Sequence, residues 1–152
     1  MLYETLHAQA HIHRLEVIVN RYPEHHVIIG TDANSKSTLW GSPRADRNGR
    51  LMEEFIAAQR LTVLNDGEQG PTFQTANGSS YIDVTLVIER TSRKINSWKL
   101  IRDLVITSHS LLETLMGRGS VDLHVLKARL LPPPGYLGHN AHTSVDVHFC
   151  SP

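Results

Sequence analysis

The sequence predicts an α/β fold, part of a sandwich in which mixed β-sheets are flanked by helices, and incomplete as a domain. Three observations predict it. An apolar run from Val27 to Ile29 reads as a short buried strand between two segments of helical period. A helix and a second strand follow it, the alternation that places helices against a sheet. Beyond these, Asn77-Gly78 is a hairpin signal leading into the alternating segment Tyr81-Ile82-Asp83-Val84-Thr85-Leu86.

The elements follow in order. From about Tyr3 to Tyr22, Ile12, Leu15, Ile18, Val19 and Tyr22 recur at helical spacing, and Pro23 stops the helix. The Val27–Ile29 strand breaks at Gly30-Thr31-Asp32, and a polar loop runs from Ser35 to Arg47. A second helix is expected from about Asn48, its N-cap, to Arg60, with Leu51, Met52, Phe55 and Ile56 on one stripe. Leu61 to Asn65 reads as a strand closed by Asp66-Gly67, and Thr72 to Thr75 as a short strand of the hairpin. Residues 1–116 form the predicted partial domain. After Met116 no period is sustained, so 117–152 reads as a mostly unstructured tail.

Composition narrows the class without naming a function. The 152 residues can bury one core, and 40% hydrophobic with 20% charged content is ordinary for a soluble globular protein. Lys+Arg 15 balances Asp+Glu 15, so no global basic field announces nucleic acid. The charge is nevertheless uneven, with Arg44, Arg47 and Arg50 in one cluster and Arg90, Arg93 and Lys94 in another. Both are read either as solvated surface or as phosphate contacts. The single cysteine, Cys150, cannot staple the chain internally. No apolar run reaches the length of a membrane span, and the amino terminus lacks a signal-peptide core. The chain therefore reads as intracellular, with no membrane partner.

Chemistry enters at Asp32-Ala33-Asn34. At the carboxyl end of a strand, where ligands of open α/β sheets sit, this spacing puts a carboxylate and a carboxamide on one face. The Asp can take a proton from water, and the Asn can donate to charge developing on a phosphoryl oxygen. Asp and Asn are also ordinary turn formers, so the dyad alone decides nothing. Asp83 on its alternating strand is equally a plain solvent-facing side chain. His7, His11 and His13 near the start of the first helix read as a solvated face rather than a zinc site, and Trp40 as the anchor of the loop that holds Asn34.

Further motifs change the weight of these residues. Leu39-Trp40-Gly41-Ser42, Asp46-Arg47-Asn48-Gly49-Arg50, Leu64-Asn65-Asp66-Gly67, Pro71-Thr72-Phe73 and Ser80-Tyr81-Ile82-Asp83-Val84-Thr85-Leu86 succeed one another after Asp32 and Asn34. In order and spacing the chain resembles the endonuclease domain of non-LTR retrotransposons, a member of the exonuclease–endonuclease–phosphatase superfamily. The resemblance covers roughly Leu15 to Leu115 and corresponds to the carboxyl-terminal half to two-thirds of such a domain. The family's upstream strands, with their metal-binding Glu, have no counterpart in it.

The resemblance implies Mg²⁺-dependent phosphodiester hydrolysis that nicks DNA, a reverse transcriptase domain in the full-length parent, and a nuclear setting. It implies catalytic roles for Asp32, Asn34, Asp83 and His109. Asp32 would position or deprotonate the water, and Asn34 would hold the transition state. Asp83 would accept a hydrogen bond from His109, and His109 would contact the phosphate. The family places an Asp between the Ser and the His of this last motif, whereas Ser108 and His109 are adjacent here. Two other readings stand beside a working nuclease: a non-catalytic remnant that binds nucleic acid weakly, and a phosphatase of the same superfamily.

Overall fold

The computed structural model describes residues 2–101, 111–116 and 145–150. The chain opens with helix α1 (Leu2–Arg21), followed by strand β1 (His26–Asp32), helix α2 (Arg47–Ala58) and strand β2 (Leu61–Val63). Strands β3 (Phe73–Thr75) and β4 (Gly78–Ser80) make a small hairpin before β5 (Asp83–Ile88) and the short helix α3 (Glu89–Ser92). Strands β6 (Ile95–Ile101), β7 (Leu111–Met116) and β8 (Val145–Cys150) complete the described elements.

The main sheet has the order β2-β5-β1-β8. The α/β class stands as predicted, but every strand pairing among the described residues is antiparallel rather than mixed. The reason lies in β5, which runs back between β1 and β2 and separates two strands that the helix α2 connects.

Alternation along β1 and β5 sorts the sheet into two faces. On one, Val27, Ile29, Val84 and Leu86 meet Leu15 of α1 and Met52, Phe55 and Ile56 of α2 in the principal core. Full burial of side chains of this size contributes about 1.5–3 kcal/mol each. The opposite face carries Ile28 and Val87, against which Leu64 and Ile95 pack. Here the Trp98 indole N–H of β6 donates to the Thr85 hydroxyl at 3.0 Å. Strand β6, paired with β7, thus covers this face, and the second face is interior as well.

Several boundaries depart from expectation for local reasons. The cap of α2 is Asp46 rather than Asn48, because its carboxylate accepts from the Gly49 N–H at 2.7 Å. The Asn77-Gly78 turn joins β3 to β4, and β5 is a separate strand that starts at Asp83. The strand β8 corrects the reading of an ordered part that ends near Met116. Val145, Val147 and Phe149 stand in register with Thr31, Ile29 and Val27, a two-residue apolar period that suits the edge of β1. Residues 117–144 lie outside the described residues.

Candidate functional site

The last residue of β1 and the first of β5 stand directly across from each other: Asp32 is the register partner of Asp83. Opposed residues of an antiparallel pair share a face, with Cβ atoms roughly 5 Å apart. Asp32 and Asp83 are 7% and 6% exposed, so two carboxylates are buried together at one end of the sheet, on the face covered by β6. Asp83 is therefore not the solvent-facing side chain of an amphipathic strand. Like charges so placed are destabilising unless a cation or hydrogen-bond donors reach them.

Local structure holds the Asp32 carboxylate and the Asp83 backbone. Asp32 accepts from the Asn34 N–H at 3.1 Å, a turn that ends the strand. Asn34 itself has φ 41 and is exposed, so strand alternation stops at Asp32. The carboxamide is presented by a left-handed turn residue, a conformation that Asn tolerates. Ala33, between them, donates its N–H to Ile82 O at 2.8 Å and continues the β1–β5 pairing.

On the other strand, the Thr72 hydroxyl accepts from the N–H groups of Ile82 and Asp83 at 3.2 and 3.0 Å. Asn65 lies just past the end of β2 and replaces a strand with its side chain. Its amide donates to Asp83 O at 2.9 Å and accepts from Thr85 N at 2.8 Å. Sequence reasoning quoted Asn65 and Thr72 only as members of motifs and gave them no role. Both position the Asp83 backbone.

The loop after Asn34 is packed rather than pliable. Trp40 is 1% exposed and its indole donates to Ser35 O at 3.2 Å, the anchoring role expected of it. Asp46 ties the start of α2 to this loop through the Lys36 N–H at 3.1 Å, and the Ser37 hydroxyl donates to Glu53. Gly41 has φ 97, and a Cβ there would lie 2.8 Å from both Gly67 Cα and the Tyr81 ring. The Trp40-Gly41 and Asp66-Gly67 motifs are thus in contact.

His109 and its neighbour Ser108 lie outside the described residues. The strand β6 runs from Ile95, beside Val87, past Trp98, at Thr85, toward the Asp83 end of the sheet. Ile101 and Leu111, its pairing partner, bound the segment that contains His109. His11 is corrected from a solvated side chain to a buried one: it is 2% exposed and bonded through Nε2 to Thr31 Oγ1 at 2.8 Å.

Residues 2–113 match a protein family described as endonuclease–reverse transcriptase. The chain belongs to that family. As an endonuclease-family chain it is 36% identical, over 117 residues, to a retrovirus-related Pol polyprotein from the type-1 retrotransposable element R1 of Bradysia coprophila. That match covers 72% of this chain and 11% of the polyprotein. It is also 42% identical over 50 residues to the RNA-directed DNA polymerase from the mobile element jockey of Drosophila melanogaster, covering 33% of this chain and 5% of that protein. Among solved structures it is similar to the endonuclease domain of TRAS1, a telomere-specific non-LTR retrotransposon, with a TM-score of 0.60 and 30% identity. The similarity covers 67% of this chain and 48% of the TRAS1 chain. The endonuclease-family fold thus accounts for the motifs around Asp32 and Asp83, while β8 lies beyond the matched residues.

Proposed function

We propose that this chain contributes the carboxyl-terminal part of a retrotransposon endonuclease that nicks DNA by Mg²⁺-dependent phosphodiester hydrolysis, and that alone it is a weak enzyme. The observation that supports the reading is the buried cross-strand pair Asp32 and Asp83, which unites two motifs 51 positions apart.

The buried pair of carboxylates suits a hard cation, since it offers the oxygen ligands that Mg²⁺ prefers. Among the described residues no group of three or more His, Cys, Asp or Glu side chains is assembled, so the set is partial. When bound, the ion would supply charge stabilisation at the phosphoryl and leaving oxygens. Within the chain, Asp32 orients the attacking water and takes its proton, and the exposed Asn34 carboxamide donates to a non-bridging oxygen. By the resemblance Asp83, its backbone fixed by Asn65 and Thr72, would accept a hydrogen bond from His109.

Adjacency of Ser108 and His109 favours the second reading, a nucleic-acid-binding remnant without catalysis. Groups that act together lose activity in a strongly non-additive way, so a missing Asp before His109 weakens the site severely. Supercoiled-plasmid nicking at high protein concentration separates the two. Slow nicking that requires Mg²⁺ and disappears in Asp32→Ala supports the hydrolytic reading. Chain that binds DNA but nicks nothing supports the remnant.

A further inference from the structure

At the opposite end of the same two strands lies a cavity of about 440 Å³ that the Asp32–Asp83 chemistry does not use. The end of α1, the residues after α2 and the junction of β5 with α3 surround it. From Asp83 to Ile88 the sheet spans about 17 Å at roughly 3.4 Å per residue, so the cavity is remote from the paired carboxylates. Arg60, Arg90 and Arg93 line it, together with apolar walls from Tyr22, Pro23 and Ile88.

Two features suit these arginines to a phosphate. Arg90 and Arg93 pair with Glu24 and Glu89 at 3.5 and 3.0 Å, and all four side chains are well exposed. Such exposed pairs are weak, so a phosphate can replace either carboxylate at little cost. Lys94 follows in sequence but is engaged elsewhere, donating to His26 Nε2 at 2.7 Å. The cationic lining is therefore guanidinium, the group whose planar fork matches a phosphate with two hydrogen bonds.

The geometry points to a second nucleic-acid site: this cavity receives one nucleotide of a single strand, its phosphate on the arginines and its base or sugar against Tyr22 and Pro23. The apolar and aromatic wall is what favours a single strand, whose bases are free to pack against it, whereas a duplex keeps its bases stacked inside. The recess is open toward solvent, so the strand can continue past it. Single strands are held by cationic grooves and apolar or aromatic platforms. The site extends the nucleic-acid reading above but does not depend on cleavage.

The test is binding of a fluorescent ten-residue oligothymidylate to the full chain by anisotropy across a salt series, with thymidine 5′-monophosphate as a second probe. The variant carries Arg60→Gln, Arg90→Gln and Arg93→Gln, with thermal unfolding to verify its fold. The expected result is at least tenfold weaker oligonucleotide binding and a shallower salt dependence, since each single-strand phosphate contact contributes about 0.7 to the log–log slope. A matched variant with Arg44→Gln, Arg47→Gln and Arg50→Gln serves as control. Unchanged affinity and slope in the cavity variant, or a loss confined to the control variant, would overturn the site. Binding of thymidine 5′-monophosphate that the cavity variant leaves unchanged would overturn the one-nucleotide assignment. Oligonucleotide binding that depends on the cavity arginines in a chain that never nicks DNA would leave the site standing and defeat only the nuclease reading.

Discussion

The Asn65 side chain bonds the Asp83 carbonyl at 2.9 Å and thereby continues β2 past its last residue. The same amide accepts from Thr85, so one side chain satisfies two backbone groups of β5. Asn65→Ala leaves both unpaired in a largely buried strand, and each such loss costs about 1–3 kcal/mol. Urea denaturation is expected to show a destabilisation of about 2–4 kcal/mol. Asn65→Asp keeps the acceptor but loses the donor, so an intermediate or larger loss is expected. A neutral Asn65→Ala would mean that water replaces both bonds.

Thr72 fixes the approach to Asp83 from the other side. Thr72→Val preserves shape and removes the oxygen that accepts from Ile82 and Asp83. Stability is expected to drop by about 1–3 kcal/mol, with faster hydrogen exchange at those two amides. Thr72→Ser, which keeps the acceptor, should retain their protection.

Gly49 is required because α2 begins in contact with the loop that follows Asn34. A Cβ at this position would lie 1.8 Å from the Lys36 carbonyl oxygen, a backbone atom that cannot turn aside. Gly49→Ala is therefore expected to destabilise the chain by at least 1–3 kcal/mol, the usual range for overpacking. The gain in helix propensity, about 1 kcal/mol, does not offset this. Thermal unfolding checks the sign, and a stabilised variant would show that α2 can shift freely.

His11 links stability to pH. Burial, with Arg14 nearby, lowers its pKa from 6.5 to about 4. The unfolded chain takes up the proton near pH 6.5 and the folded chain only near pH 4, so folding is penalised as pH falls through that window. Stability present above pH 6.5 is expected to drop by about 2 kcal/mol between pH 7 and pH 5, and by about 3 kcal/mol once pH 4 is passed. His11→Gln can still bond to Thr31 but does not titrate. It should remove that part of the pH dependence in denaturant unfolding at pH 7 and pH 5, and an identical slope in both proteins would contradict the assignment.

What could be read from the sequence was local. The period of α1 and α2, the apolar run of β1 and the Asn77-Gly78 turn are encoded within a few residues. The motifs around Asp32 and Asp83 identified the family. The register that sets Asp32 against Asp83 joins positions far apart in the chain, and no short-range signal specifies it. Burial of Asp83 depends on a layer built by β6, so its alternating strand looked half-solvated until Trp98 was placed on Thr85. His11 gave the same difficulty, since helical spacing does not reveal which polar residue faces a hydroxyl on the sheet. The strand β8 follows a long intervening segment, and a six-residue alternation near a chain end is too short to stand out.

The central claim is that Asp32 and Asp83 form one cation-accepting site, and paramagnetic broadening by Mn²⁺, used in place of Mg²⁺, tests it without relying on turnover. In amide spectra of the full chain, substoichiometric Mn²⁺ is expected to broaden Asp32, Ala33, Asn34, Asp83 and Val84 first. The combined Asp32→Asn and Asp83→Asn variant should lose that effect while keeping its fold. Broadening centred elsewhere, or unchanged by the double substitution, would contradict the account.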